Sequence, residues 1–172
     1  MTVPTRIAIV AVGDRYRHDD GIGRAVLSRL RERTADRPLP PGTVLAECDI
    51  DDPGRLPQLW DHAELAVVLE PAHTLPSHPG RIYRLELDSD GLRRPGTMRQ
   101  RGLGAAVELG RQLDRLPRHL VAYAVETADA SLGEGLSESV AAQVDVLAEQ
   151  VEEEIVRHRV AAAQAVAGRE TA

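Results

Sequence analysis

Three acidic positions carry the residue types that could do chemistry: the Asp19–Asp20 pair in AVGDRYRHDDGIGRAV, Asp49 at the end of TVLAECD, and Glu70 at the end of ELAVVLE. Carboxylates brought together without a phosphate cradle suit a cation or a proton transfer, and with an imidazole they suit a divalent transition metal. His18, His73 and His78 lie closest to them in sequence. For the Asp pair there is a plainer use, since acidic residues at a helix start cap unpaired N–H groups and sit well in the helix dipole. For Asp49 and Glu70 the plain use is that of a solvated strand terminus. A functional reading therefore rests on whether the chain brings these positions together.

The segments that would have to position them are readable. RIAIVAV (residues 6–12) is a continuous apolar, β-branched run, as expected of a strand buried on both faces, and a helical spacing begins at Ile22. TVLAECD (43–49) and ELAVVLE (64–70) read as further strands, with a loop and short helix in DPGRLPQLWD between them. RIYRLELD (81–88) alternates with period two, as an edge strand of undetermined direction would. The polar stretch DSDGLRRPGTMRQRG leads to a helix in LGAAVELGRQL, and HLVAYAVE (119–126) is a fifth strand. A last amphipathic helix is expected from Ser137, its N-cap, with the stripe Val140, Val144, Leu147, Val151, Ile155. Strands alternating with helices predict a single-domain α/β three-layer sandwich over 1–160. Its sheet is twisted, mostly parallel, of about five strands, with helices on both faces, and 161–172 is expected to be a disordered tail. In such sheets ligands sit beyond the carboxyl ends of the strands, where all three acidic positions fall.

Composition narrows the function classes. The chain has 172 residues, 42% of them hydrophobic, and a net charge of −6, which speaks against nucleic acid or an anionic membrane as partner. All its Lys/Arg residues are Arg. One cysteine, Cys48, rules out an internal disulfide framework and a cysteine-rich metal cluster, and its place within a strand makes it a buried structural thiol. The apolar start is too short for a signal peptide, and no apolar run reaches the roughly 20 residues of a membrane span. A cytoplasmic location is the expectation. Gly13, Gly21 and Gly23 do not form G-x-G-x-x-G, no G-K-[ST] exists, and neither does G-x-S-x-G.

The stretch IAIVAVGDRYRHDDGIG resembles the N-terminal signature of the [NiFe]-hydrogenase maturation protease family, a strand, a G-(N/D) turn and a spacer leading to D-(D/E)-G-x-G. The order of LAVVLEPAH, a PG edge strand, GLGAAVEL, VAYAVE and GEGLSESVAAQV agrees, so the resemblance covers residues 6 to about 157. It implies a phosphorylase/hydrolase-like fold. It also implies an endopeptidase that removes the C-terminal extension of a hydrogenase large-subunit precursor after nickel insertion, the nickel arriving with the substrate and none bound tightly by the protein itself. Carried over by motif, the nickel-sensing ligands are Asp20 and Glu70, with Glu where Asp is more usual. The family's histidine aligns with Arg99, and a guanidinium is no nickel ligand. Three outcomes stand beside one another: His73 or His78 takes that place, the substrate supplies the ligand, or Arg99 pairs with the carboxylates and the chain acts as a non-catalytic binding or assembly factor. Asp49 is the candidate for activating water, although DIDDPG replaces the glycine-rich stretch usual after it.

Overall fold

The computed structural model describes residues 6–49, 51–52, 54–88, 91–92 and 103–170. Strands β1 (Ile7–Val12), β2 (Thr43–Cys48), β3 (Leu65–Ala72) and β6 (His119–Glu126) form a parallel block. Strand β4 (Ile82–Asp88) runs antiparallel to β6, and the two-residue β5 (Gly91–Leu92) is antiparallel to β4. The order is β2-β1-β3-β6-β4-β5. Five full strands with four parallel agree with the expected sheet, and β4 takes the reverse direction next to the edge.

The continuous apolar runs reflect burial on both faces. Ile7, Ile9, Leu65, Val67, Val121 and Tyr123 face helix α1 (Ile22–Arg33) and the last helix. Ala8, Val10, Ala66, Val68 and Ala122 face α2 (Arg55–Leu59) and α3 (Leu103–Gln112). The second face is lined by small residues, and the room they leave is occupied by Trp60, whose indole N–H donates to the Arg115 carbonyl at 2.8 Å.

The last helix departs from the expectation. A short α4 (Glu138–Ala141) is followed by α5 (Val144–Glu170), which continues through 161–170, the stretch read from the sequence as a tail. Ser137 occupies the N-cap position in an extended conformation, but its side chain makes no capping bond, because its hydroxyl serves Asp19 instead. Of the predicted stripe, Val140, Leu147, Val151 and Ile155 are buried and Val144 is half-buried against the same core. α5 is pinned by Glu154, which accepts a bidentate pair from Arg84 (3.0 Å each) and a bond from the Tyr123 hydroxyl (2.8 Å). Burial raises the Glu154 pKa, and the bonds from Arg84 and Tyr123 outweigh it, leaving the carboxyl below its ordinary range. No helix among the described residues is long and apolar enough to cross a membrane.

Two glycines let α1 begin where it does. A Cβ at Gly13 would overlap the carbonyl oxygen of Asp20, and one at Gly23 would lie 2.9 Å from the Ala11 Cβ and 3.0 Å from the Leu69 carbonyl oxygen. Gly23→Ala should therefore lower stability by about 1–3 kcal/mol, the usual effect of overpacking a rigid contact. Gly21→Ala, where a Cβ meets nothing within 4 Å, should change it little; urea unfolding of the two variants checks the contrast.

Candidate functional site

After β1 the chain turns at Gly13, where the Asp14 carboxylate accepts the Tyr16 amide at 2.8 Å, and then forms a 3-10 turn at His18–Gly21. That turn packs against β3 and on the end of β1. Its two aspartates are both buried but do different things.

Asp19 is fully buried and saturated with donors. Its Oδ2 accepts the Ala128 and Asp129 amides and the Ser137 hydroxyl, each at 2.8 Å, and its Oδ1 accepts the Ser137 amide at 2.7 Å. Burial raises its pKa, but the bonds from Ser137, Asp129 and Ala128 prevail and hold the carboxyl below its ordinary value. His18 assists this clamp: its amide donates to the Gly133 carbonyl at 2.8 Å and its Nδ1 lies 3.0 Å from the Gly135 carbonyl. Since that carbonyl only accepts, Nδ1 carries the proton, and the other edge of the ring lies against Gly133, where a Cβ would overlap it. His18 thus holds the loop between β6 and α4.

Asp20, 6% exposed, and Glu70, 1% exposed, are both buried, the first on the turn after β1 and the second on β3. Glu70 follows Leu69, whose carbonyl lies against Gly23 at the start of α1, and the turn carrying Asp20 rests on the same strand. Glu70 shares a face with Ala66, Val68 and Ala72. Both carboxylates therefore lie inside the protein at the carboxyl end of the sheet, the place the sequence pointed to. Asp49 is placed differently. It follows the outer strand β2, so it stands two strand spacings, roughly 10 Å, from the line of β3. It is exposed and its Oδ1 accepts the Asp51 amide at 3.1 Å.

His73 and His78 are exposed in the connection after β3. The His73 Nδ1 lies 2.9 Å from the Thr127 hydroxyl, and the His78 amide donates to Glu126 at 2.9 Å. Arg99 lies outside the described residues. Among the described residues, no three His, Cys, Asp or Glu side chains are grouped as a metal ion would need.

A further buried carboxylate at this end of the sheet was not singled out from the sequence. Glu126, at the end of β6, accepts the Thr74 hydroxyl and the His78 amide on Oε1 and the Tyr83 hydroxyl (2.9 Å) on Oε2. It ties the β3–β4 connection to the sheet as Asp19 ties the β6–α4 loop. An acid at a strand end reads as solvated, and only the tertiary fold supplies its donors. Cys48 is buried, as expected, with its thiol directed at the Asp49 and Asp52 carbonyls; burial, and then the charges of Asp52 and Asp49, push its pKa up to about 11. It is a thiol at neutral pH and no nucleophile.

No family model matches the chain, and no curated protein matches it in sequence. Solved structures do. The hydrogenase maturating endopeptidase HybD from E. coli superposes with a TM-score of 0.71 at 19% identity over 89% of this chain and 93% of that one. The [NiFe] hydrogenase maturation protease HybD from Thermococcus kodakarensis gives 0.67 at 21% identity over 88% and 99%. This is the hydrogenase maturation endopeptidase fold. A further maturation protease of that archaeon, HycI, gives 0.62 at 22% identity over 91% of this chain and 95% of its own length. The length of these solved structures is thus covered almost end to end.

The clamp predicts a pH-dependent stability. Because the folded pKa of Asp19 is lowered, its stabilising effect is complete above the ordinary carboxylate pKa of about 4 and is lost as pH falls through the folded value. Asp19→Asn should cost about 3 kcal/mol near neutral pH, since it turns an ionic acceptor of several bonds into an amide facing N–H donors. Chemical unfolding from pH 7 down to pH 3 should show the gap between wild type and variant narrowing at the acid end.

Proposed function

We propose that this chain is an endopeptidase that removes the C-terminal extension of a [NiFe]-hydrogenase large-subunit precursor after nickel insertion. The observation that carries this reading is the burial of Asp20 and of Glu70 at the carboxyl end of the sheet, on a turn and a strand that pack together, in a fold whose solved neighbours are named as maturation proteases. Two buried carboxylates stabilise positive charge, but among the described residues no third ligand is grouped as a resident metal site would need. They fit a metal that arrives already held by the substrate. In this reading the precursor's nickel bears on Asp20 and Glu70, which fixes the substrate, and water attacks the scissile carbonyl with its proton passing to a carboxylate, while the amine of the extension leaves. Asp49 is the candidate for that proton. An acyl-enzyme route through Cys48 does not suit a buried thiol of such high pKa.

The surroundings suit a polypeptide. Tyr16, Leu75 and Leu132 are exposed on the three connections that rim this end of the sheet, and the Gly133 amide donates to the Tyr16 carbonyl at 2.7 Å, so two of these connections run side by side. Large apolar side chains left in water around a polar centre are what a protein substrate would cover.

Intact mass of a nickel-loaded precursor, incubated with the protein, tests the reading. Wild type should remove the C-terminal extension. Asp20→Ala and Glu70→Gln should each slow this by about 100-fold or more, the effect of losing substrate orientation. Asp49→Asn should lower the trimming rate with precursor binding intact. A wild type that binds the precursor and leaves its mass unchanged would overturn the peptidase reading in favour of an assembly factor.

A further inference from the structure

α5 changes character after Ile155. Up to that residue its inner face is core, with Leu147, Ala148, Val151 and Ile155 buried. Residues 159–169 are all exposed, so the half-buried His158 is the last point at which the body of the protein covers this helix. About three turns, ~16 Å of helix, follow it. A stretch of that length without a packing face is marginal in water, so its order depends on the last contact behind it.

That contact is a pair of histidines. The His158 ring meets His119, the first residue of β6, edge to face, with centroids 5.3 Å apart and planes at 65°. The His158 Nε2 is buried and has no hydrogen-bond partner among the described residues. A neutral ring with its proton on Nδ1 leaves only a bare acceptor there, whereas a charged ring places an N–H with nothing to receive it.

The neighbouring charges offer the charged ring no relief. Just before β3, Glu64 faces Arg118 at 3.5 Å, and on β4 Glu86 faces Arg84 at 3.1 Å. On α5 itself Glu154 is held by Arg84 at 3.0 Å, by Arg157 at 3.1 Å and by the Tyr123 hydroxyl. Each carboxylate lining this groove among the described residues is therefore already met by an arginine, and Arg169 adds a further positive charge along it. His119 is exposed and brings a second like charge when it too is protonated. Burial, and then the charge of His119, hold the His158 pKa below its ordinary value against the pull of Glu64 and Glu154.

We propose that His158 is an acid-released clasp: on protonation it leaves His119, and the end of α5 comes away from the starts of β3 and β6 and frays. Four residues earlier, on the same side of the helix, Glu154 holds α5 in a different pH range. Its folded pKa is lowered, so its bonds are complete above the ordinary glutamate value of about 4.3 and fail only as pH falls through the folded value. For His158 the lowered pKa belongs to a base, so its contribution is complete above about 6.5 and declines below that pH. Between these limits the first half of α5 stays docked while its end is released. The clasp stands at the starts of the strands, opposite the carboxylates, and does not depend on the peptidase reading.

Hydrogen exchange of the full chain at pH 7.5 and pH 5.5 tests this, with rates expressed as protection factors so that the intrinsic pH dependence of exchange is removed. Protection of the amides in 159–169 should fall at the lower pH by up to about tenfold, because pH 5.5 lies one unit below the ordinary histidine pKa. Amides of β1 and of 147–155 should keep theirs. His158→Phe retains an aromatic ring against His119 and has no proton to gain, so its protection should be the same at both pH values. Wild-type protection in 159–169 that is equal at the two pH values, or absent at pH 7.5, overturns the proposal. An equal loss in His158→Phe overturns it as well.

Discussion

A carboxylate taken wholly out of water must be surrounded by donors, and at Asp19 this requirement shapes one end of the molecule. Two backbone amides from 128–129, the amide and hydroxyl of Ser137 and the latch made by His18 fold the β6–α4 loop back over the turn after β1. Glu126 does the same for the connection after β3. With both connections tied down, the carboxyl ends of β1, β3 and β6 are held by rigid loops. A site intended to orient a substrate needs that kind of support around the groups that touch it. Asp20 and Glu70 are buried at the same end of the sheet.

The sheet itself was legible because its logic is local. Strands buried on both faces give unbroken apolar runs, and β1, β3 and β6 fall within a residue or two of the segments that show them. The direction of β4 was not, because a period-two pattern is the same read either way. The break between α4 and α5 was hidden as well, since Val140, Leu147 and Val151 keep the helical stripe in phase across it.

The site was legible in outline and opaque in its division of labour. Position along the strands pointed to the end of the sheet where Asp20 and Glu70 are each buried, yet nothing near Asp19 in sequence distinguishes it from Asp20. What separates them is a set of donors more than a hundred residues downstream, and the Ser137 hydroxyl that a helix cap would have used is among them. Glu126 escaped notice for the same reason. Asp49 shows the opposite case: it ends a strand as Glu70 does, but β2 is the outer neighbour of β1, and sheet order is not written in the local pattern.

The same long reach has a consequence for the order of assembly. β1 pairs first with β2 and β3, but the fourth parallel strand follows only at residue 119, and the donors to Asp19 lie 109 to 118 positions beyond it. A nascent chain emerging from its amino end therefore exposes the 3-10 turn and its acids long before their partners exist. Loop closure over such a span is entropically slow, and contacts of this separation form late. The carboxyl end of the sheet is then the last part of the molecule to become ordered, and a chain interrupted before Ser137 has most of its strands without the pocket they are meant to carry.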